Sequence, residues 1–125
     1  MPEKRLKAIL VADDNHDISE VMQKILEIEG YSVTVASSGA ACLEAVKKKE
    51  YLAVLLDMDL GDITGFEVLM GIKTFRPTQP VIMVTGDHSE SDAARAVELG
   101  AWEYITKPVD FAYLKNILLI QSQNG

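Results

Sequence analysis

Five short apolar runs alternate with longer amphipathic stretches along the chain, and that rhythm leaves few folds open. The runs Ala8–Ala12, Leu52–Leu56 and Val81–Val84 are continuously apolar, as strands covered on both faces are. Tyr31, Val33 and Val35 alternate with Ser32 and Thr34, and Trp102, Tyr104 and Thr106 are interleaved with Glu103 and Ile105. Those two runs read as edge strands with one wetter side. The stretches between them read as helices. Ile18, Val21, Met22, Ile25 and Leu26 form a helical stripe, with Asn15 or Asp14 as N-cap and Gly30 at the C-terminal end. Ser38 caps a second helix carrying Ala41, Leu43, Ala45 and Val46. Phe66, Leu69, Met70 and Ile72 mark a third, ended by Arg76-Pro77. Ser89 with Asp92 reads as a capping box for a fourth that stops at Gly100, and Asp110 caps a fifth with Phe111, Leu114, Ile117 and Leu118 inward.

Strict strand–helix alternation implies right-handed crossovers, hence an α/β fold with a parallel sheet and helices on both faces. With the two half-polar runs at the edges, the five-stranded, doubly wound sheet takes the order 2-1-3-4-5. Ligands of such sheets bind beyond the carboxyl ends of the strands, where the strand order reverses.

Size and charge narrow the function. At 125 residues the chain is one domain with a real core and no need of disulfide or metal staples. Hydrophobic residues make up 48% and charged residues 25%, which excludes a disordered or fibrous chain. A net charge of -7 is the wrong sign for direct nucleic-acid binding. Lys47, Lys48 and Lys49, the basic run, sit at a helix C-terminus where cations suit the dipole. The single cysteine, Cys42, forms no internal disulfide and permits a reducing cytoplasm. The apolar stretch after the basic N-terminus is too short for a signal peptide, and no run is long enough to span a membrane. A soluble cytoplasmic protein is the expectation.

The acidic residues cluster where the topology puts a binding site. Asp13 and Asp14 follow the first strand and Asp57 ends the third. Thr85-Gly86 follows the fourth, and Thr106-Lys107-Pro108 ends the fifth. Singly these are helix caps, turn residues or exposed charges. Together, three carboxylates at one mouth repel one another, and a hard divalent cation with oxygen ligands removes that cost. A cation site, a lysine, a hydroxyl and a carboxylate nucleophile are the parts phosphoryl transfer needs.

The ordered set Asp13-Asp14, Leu55-Leu56-Asp57, Gly65, Val84-Thr85-Gly86 and Gly100 through Pro108 resembles the response regulator receiver domain, the phosphoacceptor of two-component signalling. The resemblance runs from Leu6 to about Gln121. It implies a flavodoxin-like fold, with residues 1–125 forming a single receiver domain in a bacterial cytoplasm. It also implies a phosphoryl group on Asp57, donated by a histidine kinase or histidine phosphotransfer domain. Mg²⁺ would be held by Asp13, Asp14, Asp57 and the backbone carbonyl of Asp59. Lys107 and Thr85 would meet the phosphoryl oxygens, Tyr104 would turn inward as Thr85 moves, and Pro108 would follow a cis Lys107–Pro108 bond. Downstream stands an effector protein or domain. Such a domain catalyses its own phosphorylation and dephosphorylation without being a turnover enzyme.

Phosphorylation adds about -1.5 to -2 of charge and three acceptor oxygens. Swinging a two-state surface around helix four, strand five and helix five from about 1:99 to 99:1 takes roughly 5.5 kcal/mol, within reach of a few charge-assisted hydrogen bonds.

Departures from the family pattern are informative. Gly61 stands where the family usually has proline, implying a freer loop from Asp59 to Thr64. Asp59 and Asp87 either face water or shape the lifetime of the phosphoryl group. His16 and His88 read as surface residues, and Trp102 either flanks the signalling face or covers an apolar edge. Leu119 and Ile120 give helix five an apolar excess, implying a homodimer contact or local packing. Two other functions compete. Leu55-Leu56-Asp57-Met58-Asp59 also resembles the nucleophile motif of haloacid-dehalogenase phosphatases, with Asp57 attacking and Asp59 as acid/base. The other is an interaction module that takes no phosphate.

Overall fold

All neighbouring strands run parallel because a helix returns the chain to the same end of the sheet each time. The computed structural model describes residues 7–86 and 89–124. In chain order they form β1 (Ala8–Ala12), α1 (His16–Ile28), β2 (Ser32–Ala36), α2 (Gly39–Lys48) and β3 (Ala53–Asp57). Then come α3 (Gly65–Phe75), β4 (Val81–Thr85), α4 (Glu90–Glu98), β5 (Glu103–Thr106) and α5 (Phe111–Asn124). The sheet order is β2-β1-β3-β4-β5, parallel throughout. Asp87 and His88, both singled out above, lie outside the described residues.

Strand periodicity divides the core into two. Leu10, Ala12, Val54, Leu56, Val81 and Met83 face Cys42 and Val46 of α2, Val68, Leu69 and Ile72 of α3, and Ala96 of α4. Their neighbours Ile9, Val11, Ala53, Leu55, Ile82 and Val84 face Met22 and Leu26 of α1 and Leu114 and Leu118 of α5. Each large side chain so buried contributes roughly 1.5–3 kcal/mol. Both edge strands are wetter, as their sequences imply. Ser32 and Thr34 are exposed, and in β5 only Ile105 is fully buried. β3 and β4 outrun their apolar sequences by one residue, because Asp57 still pairs with Val84 and Thr85 with Thr106. Backbone pairing continues whatever the side chain, so both polar residues are held rigidly at the sheet's end.

Helix ends follow local chemistry. Asn15 is the N-cap of α1, its side chain accepting from Ile18 N. At the other end, Gly30 N–H donates to Glu27 O and Tyr31 N–H to Leu26 O. With Gly30 at φ +98°, this is a Schellman closure. Ser38, Ser89 and Asp110 accept from Ala41, Asp92 and Tyr113 N–H. Thr64 and Glu67 make a reciprocal capping box at α3.

The apolar stripes are broader than the buried faces. In α1, Met22, Leu26 and also Ser19 are buried, whereas Ile18 and Val21 are exposed. In α2, Cys42 takes the buried place while Ala41 faces out, and burial pushes the Cys42 thiol up to about 12. Met70 of α3 is likewise exposed. A helix beside a sheet offers only one face for burial, so its flanking apolar residues remain in solvent.

One buried side chain ties down the amino-terminal end of the sheet. Gln79, only 2% exposed, accepts from Tyr51 N–H at 2.9 Å and donates to Tyr51 O at 2.9 Å and Pro80 O at 3.0 Å. It thereby joins the segment leading into β3 to the start of β4. Gln79→Leu leaves both Tyr51 backbone groups unpaired. It should destabilise the fold by about 2–4 kcal/mol, read as a lower urea midpoint with an unchanged slope.

Candidate functional site

Strand ends supply the site, and the sheet's register sets its spacing. Asp13 follows β1, Asp57 is the last residue of β3, Thr85 the last of β4, and Lys107 follows β5. Lys107 N–H donates to Thr85 O at 2.7 Å, which fixes the lysine's backbone beside β4. The Lys107–Pro108 peptide bond is cis. Lys107 Nζ donates to Asp57 Oδ1 at 3.4 Å and lies 4.0 Å from Asp13 Oδ2.

Carboxylate oxygens of Asp13, Asp14 and Asp57 lie within 4.8 Å of one another. Asp13 and Asp57 are buried and Asp14 stands exposed at the rim. Asn15 N–H donates to Asp13 Oδ1 at 2.9 Å, orienting that carboxylate. Burial pushes the Asp57 carboxyl up from its ordinary 3.8. Lys107 pulls it down, and the Asp13 charge pushes it up again. One lysine against three acids leaves net negative charge, and an all-oxygen donor set of this size suits a hard divalent cation. A cavity of about 410 Å³ opens above the cluster. Its walls include Asn15, Ile18, Met58, Asp59, Thr85 and Gly86 besides the three acids and Lys107.

Of the remaining predicted site residues, Thr85 and Asp59 line this mouth and the others lie outside its walls. Thr85 is buried. Tyr104, in the strand next to it, is half-buried and packs against the core face shared by α2, α3 and α4. Asp59 is exposed, and its Oδ1 accepts from Gly61 N–H at 3.3 Å, so the carboxylate closes its own loop. Gly61 has φ +88°, a conformation closed to proline. Gly65 lies against the strand end itself: a Cβ there would come within 2.8 Å of Met58 Cα and 3.0 Å of Asp57 O. His16 is exposed, and Leu119 and Ile120 are about half exposed on the outer side of α5 (52% and 54%).

Sequence reasoning missed two features here. Asn15 was legible only as a cap, and Ile18 only as part of a helix stripe. Ile18 also belongs to a second, apolar cavity of about 610 Å³, formed with Val21, Met22, Pro108, Val109 and Phe111 and edged by Asp17 and Lys107.

Comparison with known proteins decides the family. The sequence pattern of the response regulator receiver domain matches residues 9–119. The chain belongs to that family. The transcriptional regulatory protein ZraR of Klebsiella oxytoca is 38% identical over 107 residues, covering 86% of this chain and 24% of ZraR. The chain spans between about a quarter and about half the length of the curated relatives it matches.

A CheY-like receiver domain protein from Methanospirillum hungatei superposes with a TM-score of 0.86 at 34% identity, over 96% of this chain and 99% of that one. A Burkholderia pseudomallei response regulator, crystallised with a phosphorylated aspartic acid, calcium ion and citrate, gives 0.84 at 25% identity, over 94% of this chain and 69% of that one. The receiver domain is therefore a phosphoacceptor switch of two-component signalling, not a classical turnover enzyme, and the haloacid-dehalogenase reading is not favoured. No helix among the described residues is long and apolar enough to cross a membrane.

A carboxyl whose folded-state pKa is raised binds its proton more tightly in the fold than in the unfolded chain. Stability therefore falls as pH climbs from 3.8 through the raised value. At neutral pH without divalent cations, Asp57→Asn should raise stability on the order of 1 kcal/mol, several degrees in Tm. The difference should vanish below pH 3.8. Thermal melts across pH check this.

Proposed function

We propose that Asp57 accepts a phosphoryl group from the phosphohistidine of a histidine kinase or histidine phosphotransfer domain. The observation that carries the reading is the buried Asp57 carboxylate, 3.4 Å from the Lys107 ammonium, at a mouth shared with Asp13 and Asp14. An Asp57 oxygen attacks phosphorus. The new P–O bond forms as the P–N bond breaks, and the electron pair leaves with the imidazole nitrogen, which is protonated from solvent. Lys107 meets charge on the phosphoryl oxygens, and the Thr85 hydroxyl donates to one of them. Asp13, Asp14, Asp57 and the Asp59 backbone carbonyl would hold Mg²⁺, which when bound offsets the carboxylate charge and polarises the phosphoryl oxygens. The phosphorylated aspartic acid and calcium ion of the Burkholderia neighbour support this assignment.

The donor's approach is supported by the apolar groove of Ile18, Val21, Pro108 and Phe111, because Lys107 borders both it and the acidic mouth. A helix of the donor docked there would bring its histidine to Asp57. The switch then runs through Thr85. As its hydroxyl moves toward the phosphoryl group, Tyr104 turns into the vacated space and the surface of α4, β5 and α5 changes. α4 is suited to respond, having only Ala96 buried. The chain acts from residue 1 to 125 as one receiver domain in the cytoplasm. It signals to a downstream effector, with self-catalysed hydrolysis ending the signal. Exposed Leu119 and Ile120 support a homodimer through α5.

Intact mass after incubation with a small acyl phosphate and Mg²⁺ should show one added phosphoryl group, absent without metal and absent in Asp57→Asn. Continuous phosphate release with no adduct would instead mean a phosphatase. Lys107→Ala should slow adduct formation about 10²-fold or more, as removing an oxyanion donor does. Amide shifts around Thr85 and Tyr104 that ignore phosphorylation would refute the switch.

A further inference from the structure

The loop from β3 to α3 is anchored by a residue that phosphoryl acceptance does not use. Asp62 is exposed, yet its two oxygens accept from Gly39 N–H at 2.9 Å and Ala40 N–H at 3.1 Å. These are the first amides of α2, and Ser38 already fills the next, that of Ala41. Ala40 is exposed and solvent would satisfy its amide, whereas Gly39 is buried and its amide relies on the acid. The loop gains from the contact as well. One residue before Asp62, the tip at Gly61 lies so close to the cluster that a Cβ there would be 3.5 Å from Asp14 Oδ2. Asp59 closes the segment from the other end, through its bond to Gly61 N–H and its bridge to Thr64. The amides of Gly39 and Ala40 hold the Asp62 carboxyl below its ordinary 3.8, so it stays an anion and an acceptor at neutral pH.

We propose that Asp62 is a positioning residue of the phosphoacceptor site, clamping the 59–62 backbone to the start of α2 so that Gly61 stays beside Asp14 and the Asp59 backbone stays at the mouth they share. The role rests on the cation and phosphoryl chemistry proposed above. It also explains how a loop with glycine at its tip keeps one path over the mouth. The helix N-terminus draws the Asp62 charge away from three carboxylates that would otherwise repel it.

The test compares wild type, Asp62→Ala and Asp62→Asn. Mg²⁺ alone is titrated against amide shifts of Asp14 and Gly61, and adduct formation from a small acyl phosphate is then followed at low and saturating Mg²⁺. Asp62→Ala should raise the half-saturating Mg²⁺ concentration by up to about tenfold, the low end for partners behind a metal ligand, with the rate recovering at saturation. Asp62→Asn keeps an oxygen for one amide and should fall between. A lower Tm with unmoved half-saturation would mean a merely structural cap and would overturn the proposal. If the alanine variant does not fold, the asparagine variant decides by the same readout. An Asp57-dependent adduct with equal Mg²⁺ response in all three proteins overturns the clamp and leaves the phosphoacceptor reading standing. A shifted Mg²⁺ response with no adduct on wild type overturns that reading and keeps the clamp. No Mg²⁺ response in wild type overturns both.

Discussion

Like charge held in place against its own repulsion is the constraint on which this molecule depends. Two unit charges about 4 Å apart at an effective dielectric near 20 interact by about 4 kcal/mol. The fold nevertheless brings Asp13, Asp14 and Asp57 within 4.8 Å. It can do so because the two buried acids are not free to separate. Asp57 is locked in the ladder opposite Val84, and Asp13 is held by its own N–H to Ala36 O and by Asn15 N–H. The opposing Lys107 backbone is pinned to Thr85. The apolar core therefore sustains an electrostatic imbalance at one end of the sheet, which a bound hard cation would offset.

The two core faces hold their helices unequally. α1 and α5 are set by Met22, Leu26, Leu114 and Leu118, while α2 and α3 are set by Cys42, Val46, Val68, Leu69 and Ile72. α4 brings Ala96 alone. Elements with few buried contacts open at the lowest free energy. The element least bound to the core is thus the one following Thr85, and Tyr104 packs on the same face.

Much of this was legible in the sequence, for physical reasons that can be named. Central strands buried on both faces must be continuously apolar, so Ala8–Ala12 and Val81–Val84 declared themselves, and alternation then fixed the topology. The convergence of Asp13, Asp14, Asp57, Thr85 and Lys107 followed from the strand order. Legibility failed where tertiary context decides. Ile18 and Val21 satisfy the helical stripe as well as Met22 does, yet only the way α1 lies on the sheet determines which of them is covered. Asp62 carries no local sign of its role, because nothing in the neighbouring sequence says that its partners lie at Gly39 and Ala40. Gln79 carries no pattern at all, being a polar residue whose burial depends on Tyr51 across the sheet. The capping box of Thr64 and Glu67 is different, since its Thr-x-x-Glu spacing is local and stands in the sequence itself.

The Gln79 side chain has a mechanical meaning at a distance. Because it stitches the inlet of β3 to that of β4 at the end opposite the acids, the central strands are grounded there like the fixed base of a cantilever. A disturbance at Asp57 cannot relax by sliding one strand along another, since slippage would tear both Tyr51 bonds and reverse the facing of every side chain. Displacement is confined to the free end, where strands give way to turns, and the sheet acts as a rigid frame that passes it sideways into the helices.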